Sequence, residues 1–113
     1  DVFLALPDNR IFASGSQQNV LVTSYRRRIP VVTYSEPYVR SGAAMGLFAT
    51  PAQVAAQAAA AVRVFLITRS LPAPRAASGY SIAINSEVAR SLGLNLGDPE
   101  QLLQALRRKE DGR

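Results

Sequence analysis

Short apolar runs alternate along this chain with segments that carry helix-start signals, and this alternation limits the fold more than any other feature. The strand-length runs are Val2–Leu6, Ile29–Tyr34 and Tyr80–Ile84, with a weaker candidate at Leu47–Ala49. Val2–Leu6 is continuously apolar, which predicts a strand buried on both faces, as in a parallel sheet. The order strand, helix, strand, helix, strand predicts an α/β fold with a mainly parallel sheet flanked by helices.

The helices between these runs are predicted from capping residues and apolar spacing. The first opens at Ser14-Gly15-Ser16, with Ser14 or Ser16 as its cap, and closes at the arginine run 26–28. Thr50, Pro51 and Gln53 form a capping-box signature for a helix that runs to about Thr68. Later helices are predicted to begin at the caps Asn85 and Asp98.

Composition excludes several classes of chemistry. The chain of 113 residues has no Cys and no His, so disulfides, thiolate metal sites, imidazole zinc sites and histidine triads are ruled out. We therefore expect no metal and no cofactor. The formal charge is +5, but arginines at a predicted helix end explain part of this excess without an anionic partner.

The sequence shows no apolar run as long as a membrane span. The most apolar stretch, Val54–Thr68, is interrupted by Gln57 and Arg63. The chain begins at Asp1 without Met and shows no signal peptide. These features lead us to expect a processed protein or a fragment.

Two polar loops follow predicted strands, at the end where α/β sheets bind ligands. Asp8 can accept charge-assisted hydrogen bonds from an ammonium group, and Asn9 offers both a donor and an acceptor. In the second loop, Ser35 is polar, Glu36 can pair with a cation and Tyr38 can stack on a flat ligand. The structural alternative is an Asx turn at Asp8, a solvated Glu36 and a Tyr38 packed over the strand end.

Catalysis and nucleic-acid binding are less well supported. Asp8 and Glu36 could serve as an acid and base pair in glycoside hydrolysis, but no other feature supports an enzyme. Arg26-Arg27-Arg28 could bind phosphate, but no recognition motif accompanies it. We expect neither enzymatic activity nor a nucleic-acid partner.

Three segments together resemble a known family. They are DVFLALPDN, then RIPVVTYSEPYVRSGAAMGLFATPAQVAAQAAAAV, then SIAINSEVARSLGLNL. In order and spacing they resemble the substrate-binding proteins of TrpX-like ABC transporters. The resemblance implies a type I periplasmic-binding-protein fold, which is flavodoxin-like. It also implies an extracytoplasmic or periplasmic location, and two lobes that close on a small ligand such as an amino acid.

The resemblance also predicts how the chain is organised and what it contacts. It makes 1–113 a single α/β unit from the C-terminal portion of a two-lobed protein, with 1–45 in the second lobe and 46–113 forming the crossing and the C-terminal elements. The implied ligand-binding residues are Asp8, Asn9, Ser35, Glu36 and Tyr38, and the implied partner is an ABC permease. The alternative is a periplasmic sensory domain whose partner is a signalling output domain. Without the rest of the two-lobed fold, the 51–68 helix would expose apolar residues, so we expect this chain to form a homodimer. One route to such a dimer is the exchange of a structural element between two copies, with Gly42–Gly46 as the hinge.

Overall fold

A computed structural model describes residues 1–112, apart from the side chain of Ser14. The predicted capping role of Ser14 and the last residue of the predicted 46–113 segment lie outside the described residues. The chain divides into two units, one made of Asp1–Phe48 with Ile82–Arg113 and the other of Ala49–Ser81.

A four-stranded sheet organises the larger unit. Its strands are β1 (Phe3–Leu4), β2 (Val31–Thr33), β3 (Met45–Phe48) and β4 (Ser81–Ile84), in the spatial order β1-β2-β3-β4. The pairs β1–β2 and β2–β3 are parallel. The amide of Asn85, just after β4, donates to the carbonyl of Ala44, just before β3, at 3.0 Å, as in an antiparallel pair. The predicted α/β fold with a mainly parallel sheet is confirmed.

Apart from a short helix in the predicted second loop, the helices begin close to the predicted positions. They are α1 (Ser14–Arg26), α2 (Glu36–Arg40), α3 (Pro51–Thr68), α4 (Ser86–Ser91) and α5 (Pro99–Asp111). Asn85 and Asp98 cap α4 and α5 as predicted. The predicted alternative of a cap at Ser16 was wrong, because Ser16 lies inside α1 and the residue at the cap position is Ala13, which makes no side-chain capping bond.

The core of this unit lies on one face of the sheet. Its buried cluster joins strand, helix and turn residues, namely Ala5, Leu21, Val31, Tyr38 and Ala43. Leu21 comes from α1 and Tyr38 from α2, so both helices cover the face that carries Ala5 and Val31. When parallel strands follow one another in sequential order, right-handed crossovers place each connecting helix on the same side of the sheet.

The opposite face of β1 is exposed, which corrects one prediction. Val2, Leu4 and Leu6 alternate with Ala5 and are each 63% exposed, whereas Ala5 is 2% exposed. The expectation that Val2–Leu6 is buried on both faces was therefore wrong. The run is apolar on both faces, but α1 and α2 lie on only one of them.

The smaller unit, Ala49–Ser81, is built on α3. Thr50 and Gln53 form the predicted capping box, and α3 ends before Arg69, which has a φ of 56°. The Nε2 group of Gln53 donates to Ser81 Oγ at 2.9 Å. Gln57 donates to the Gly79 carbonyl at 3.3 Å and accepts from the Ser78 amide at 3.0 Å, so two glutamines fasten the returning loop to the helix.

α3 is also long and apolar enough to cross a membrane, by length and composition alone. It has 18 residues, none of them buried, and it is the one such helix found among the described residues. The stretch was not expected to span a membrane, because Gln57 and Arg63 interrupt it, but the whole helix meets the length and mean-hydropathy requirement despite them. Soluble helices pass the same test, so this feature is weak support for a membrane location.

Candidate ligand site at the sheet edge

The two loops predicted to bind ligand leave the sheet at the same edge. β1 and β2 are neighbouring parallel strands, with Phe3 opposite Val31 and Leu4 opposite Val32. The Ala5 amide extends the pairing by donating to the Val32 carbonyl at 2.8 Å. The loop that starts at Pro7 and the loop that starts at Ser35 therefore follow the carboxyl ends of adjacent strands, where α/β sheets bind ligands.

Three aromatic rings tie these two loops together. Phe12 follows the first loop, Tyr34 ends the second strand run and Tyr38 lies in α2. Their ring centroids are 6.1–6.4 Å apart, and every pair has an edge-to-face arrangement. Such pairs stabilise by about 0.5–1.5 kcal/mol beyond the area they bury. The aromatic triad of Phe12, Tyr34 and Tyr38 thus holds the two loops together at the sheet edge.

Asp8 closes a turn at this edge. Its Oδ1 accepts from the Arg10 amide at 2.9 Å, and its Oδ2 accepts from an Arg10 guanidinium nitrogen at 3.3 Å. These bonds, first from the Arg10 side chain and then from its amide, lower the pKa of the Asp8 carboxyl. The backbone carbonyl of Asp8 accepts hydrogen bonds from the Ile11 and Phe12 amides at 3.1 and 2.8 Å. Asn9 beside it is exposed. The carboxylate is therefore ionised and partly exposed, but already holds a local cation.

Ser35 and Glu36 are used by α2. The Ser35 hydroxyl oxygen accepts from the Tyr38 amide at 3.3 Å and caps the helix. Glu36 accepts from Arg40 at 3.1 Å, one helical turn later, and both side chains are largely exposed. An exposed pair of this type contributes little free energy. Glu36 can therefore exchange Arg40 for another cation at small cost.

Tyr38 occupies a different position from its predicted one. It is 2% exposed and belongs to the core, which agrees with the structural alternative of a tyrosine packed over the strand end and not with a ring open to a ligand. Burial, and then the neighbouring Tyr34, raise the pKa of its hydroxyl. Among the described residues this hydroxyl has no hydrogen-bond partner. In this structure Tyr38 holds α2 against the sheet and does not offer a stacking surface.

A cleft of about 620 Å³ lies elsewhere in the same unit, between α1 and α4. Arg26 and Glu87 both line it, and the sequence analysis did not identify it as a site. Arg26 was noticed only as part of an arginine run. The cleft is lined by residues of α1 and α4, which are distant in sequence, so no local motif could have indicated it.

The described residues contain no group of three or more acidic side chains that could hold a metal ion. Metal ligation by carboxylates needs several oxygen ligands around one point. Asp8 and Glu36 are each paired with an exposed arginine in their own loop or helix.

Comparison with known proteins gives one informative match. No protein-family model matches the sequence, and no curated protein matches it. Among solved structures, the chain is similar to a conserved domain protein from Vibrio cholerae O1 biovar eltor, with 27% sequence identity and a TM-score of 0.58. The match covers 87% of this chain and 33% of that one, so this chain spans about a third of that protein's length.

Proposed function

We propose that this chain is part of an extracytoplasmic solute-binding protein of an ABC transporter, of the TrpX-like family, with a type I periplasmic-binding-protein fold. The observation that carries the proposal is the shared edge of the sheet. Two polar loops follow adjacent parallel strands there, and the aromatic triad holds them together. An edge of this type is where open α/β sheets bind small ligands.

The side chains at the edge suit a ligand that carries an ammonium group. Asp8 is an ionised carboxylate paired with the exposed Arg10 through long contacts of 3.3 and 3.4 Å. Glu36 is a second carboxylate in an exposed pair. A ligand ammonium would replace one or both arginines, with Asn9 supplying a further donor and acceptor. We propose that Ser35 and Tyr38 act as positioning residues, since one caps α2 and the other anchors it in the core.

Transport would depend on closure of two lobes around the ligand. A ligand that contacts this edge and a second lobe stabilises the closed state by its greater affinity for that state. The closed form would then be the one that an ABC permease recognises. An extracytoplasmic location and a permease partner follow from the same proposal.

The test is calorimetry of the protein with a panel of amino acids that includes L-phenylalanine, L-tyrosine and L-tryptophan. We expect saturable binding of at least one of them. Asp8→Ala should weaken it roughly ten- to hundredfold, which is the scale of a lost hydrogen bond to a charged group. Asp111→Asn, which removes a distant exposed carboxylate in α5, is the matched control and should leave affinity unchanged.

The Arg10→Ala variant distinguishes a ligand-binding role of Asp8 from a role in the local turn alone. The Arg10 amide still bonds Asp8 in this variant, so the turn is kept while the competing guanidinium is removed. If Asp8 receives the ligand, Arg10→Ala should strengthen binding. Equal affinity in Asp8→Ala, Arg10→Ala and the unmodified protein, with all of them folded by circular dichroism, would contradict the proposal.

A further inference from the structure

The second half of α3 and the turn that follows it are exposed on every side. Every residue from 62 to 71 is exposed, and Ile67 and Leu71 are the most exposed of the large apolar side chains there, at 84% and 73%. The other large apolar side chains of this segment are Val62, Val64, Phe65 and Leu66. Residues 62–71 are called the apolar tip below.

The apolar side chains of the tip are not confined to one face of the helix. Successive helical residues are about 100° apart, so the apolar positions 62 and 64–67 are spread around the whole circumference. The first half of α3 differs, because Gln53 and Gln57 are half-buried and hydrogen-bond to Ser81 and Gly79. A helix that is apolar all round is typical of a protein core or of a lipid environment. The apolar tip is therefore the part of α3 that a partner could surround.

The charge around the apolar tip has one sign. The smaller unit, 49–81, contains Arg63, Arg69 and Arg75 but no Asp, Glu or Lys in its sequence. All three arginines are exposed, and the ion pairs among the described residues involve other arginines. An apolar segment bordered by cations complements a bilayer surface, in which anionic headgroups cover an apolar interior.

We propose that the apolar tip inserts into the surface of a membrane that contains anionic phospholipid, with Arg69 and Arg75 at the headgroups. Arg63 lies within the tip, and its long apolar stem allows the guanidinium to extend to the same polar layer. In solution, a second copy of the chain could cover the apolar side chains but would not neutralise the arginines. Anionic lipid does both, so the charge pattern favours a lipid surface as the partner.

The hydrogen bonds of α3 limit how deeply it can enter the bilayer. Gln57 bonds the backbone of Ser78 and Gly79, and Gln53 bonds the side chain of Ser81. If the whole helix spanned the membrane, this irregular loop and both amide side chains would lie in hydrocarbon, where lipid-exposed loops do not occur. The insertion is therefore confined to the apolar tip, and α3 lies at the membrane surface without crossing it.

Vesicle flotation tests the lipid preference. The protein should float with vesicles made of equal parts phosphatidylcholine and phosphatidylglycerol, and much less with phosphatidylcholine alone. High salt should reduce the binding to the mixed vesicles because it screens the headgroup charge. Arg69→Gln and Arg75→Gln should each weaken this binding about fivefold and leave binding to phosphatidylcholine unchanged. Arg26→Gln with Arg27→Gln, which removes two exposed charges in α1, is the matched control and should retain the binding.

The apolar contribution is tested with neutral substitutions. Ile67→Ser combined with Leu71→Ser should weaken binding to mixed vesicles at least tenfold, because two large apolar side chains no longer enter the lipid. Leu4→Ser removes an exposed apolar side chain outside the tip and should have no effect. Failure of the folded protein to bind mixed vesicles, or undiminished binding by the double serine variant, would overturn the inference.

A tryptophan reporter distinguishes lipid from a second copy of the chain. The sequence contains no Trp, so Ile67→Trp introduces a single indole into the tip. Its emission should shift to the blue on adding mixed vesicles and should be quenched by phospholipid with brominated acyl chains, whereas Leu4→Trp should show neither change. A blue shift that follows protein concentration alone, without quenching by brominated lipid, would assign the tip to a dimer interface and contradict membrane insertion. None of these results bears on the proposed amino-acid site at Asp8.

Discussion

Arg10 holds the carboxylate of Asp8 through both its backbone and its side chain. The amide nitrogen of Arg10 lies 2.9 Å from Asp8 Oδ1, and a guanidinium nitrogen lies 3.3 Å from Oδ2. The two residues are separated by one position, so the contact is local and forms as soon as the turn forms. The same contact competes with any external cation for Asp8.

We therefore predict a specific change in the titration of Asp8. The Arg10 side chain is the largest cause of its lowered pKa, so Arg10→Ala should raise that pKa, while the retained amide bond keeps it below the ordinary value. A lowered pKa stabilises the folded state above the ordinary aspartate pKa. This stabilisation is lost as pH falls through the folded-state value. Carboxyl carbon NMR measures the shift, and Arg27→Ala is the control. An unchanged Asp8 titration in Arg10→Ala would contradict the assignment.

Tyr38→Phe should make the protein slightly more stable. The Tyr38 hydroxyl is buried without a partner among the described residues, and an unsatisfied buried polar group costs about 1–3 kcal/mol. Removing it while keeping the ring preserves the aromatic triad. We expect a gain of about 1 kcal/mol in the free energy of unfolding, measured with urea.

The same variant should change stability at high pH. Burial raises the pKa of the Tyr38 hydroxyl, so the folded state disfavours the phenolate. Stability should fall as pH rises above the tyrosine pKa in the unfolded chain, which is about 10. Tyr38→Phe should lessen this loss, whereas the exposed Tyr25→Phe should not. A loss of stability in Tyr38→Phe at neutral pH would show that the hydroxyl is hydrogen-bonded in solution.

Gly46→Ala should destabilise the larger unit. A Cβ at this position in β3 would lie 2.7 Å from Val39 Cγ2 and 3.2 Å from Thr33 Cγ2, both on neighbouring elements. We expect a loss of about 1–3 kcal/mol from overpacking, measured by urea unfolding. Gly15→Ala in α1 is the control, because nothing lies within 4 Å of its Cβ, and it should be neutral or stabilising. Equal stabilities of the two variants would show that Val39 moves aside freely.

The locally determined parts of this fold could be predicted from the sequence. The capping box of Thr50 and Gln53, the caps Asn85 and Asp98, and the 18-residue span of α3 depend on residues within a few positions of one another. The parallel arrangement of β1 and β2 follows from the helix between them. Both loops of the candidate site were placed at one edge for the same reason.

The properties that depend on distant packing could not be predicted. Val2 and Leu4 form part of an apolar run, and only the strand order decides that one of its faces stays exposed. The sequence left Tyr38 open between a stacking ring and a packed one, and its ring contacts with Phe12 and Tyr34 are what decide for the packed position. The Arg26 and Glu87 cleft needs two helices that are far apart in sequence, and no short motif reports such a pairing.

The exposed apolar surface of α3 leads to the expectation that the protein self-associates. Val54 and Val62 are each 54% exposed and Phe65 is 40% exposed, as the sequence predicted for this helix. Arg63 is its single charged residue, so two copies of α3 would meet with little repulsion. Apolar surfaces of this kind tend to be covered by a partner. We propose a homodimer with α3 in the interface.

The structure favours direct contact of two helices over exchange through Gly42–Gly46. Ala43 and Ala44 are 0% and 1% exposed. The Ala44 amide donates to the Val31 carbonyl at 2.9 Å, and its carbonyl accepts from Asn85 at 3.0 Å. Extending this stretch as a hinge would expose buried residues and break sheet bonds, so the exchange route is the more costly one.

Sedimentation at several micromolar concentrations tests the dimer. We expect a concentration-dependent dimer that Val62→Lys combined with Phe65→Lys converts to a monomer, because two buried ammonium groups in the interface would be desolvated without partners. Leu4→Lys is the control: it places one ammonium group on the exposed face of β1, outside α3, and should leave the dimer intact. If Leu4→Lys disrupts the dimer and the α3 variant does not, the exposed sheet face is the interface. A monomer at every concentration would mean that α3 needs no second copy to cover it.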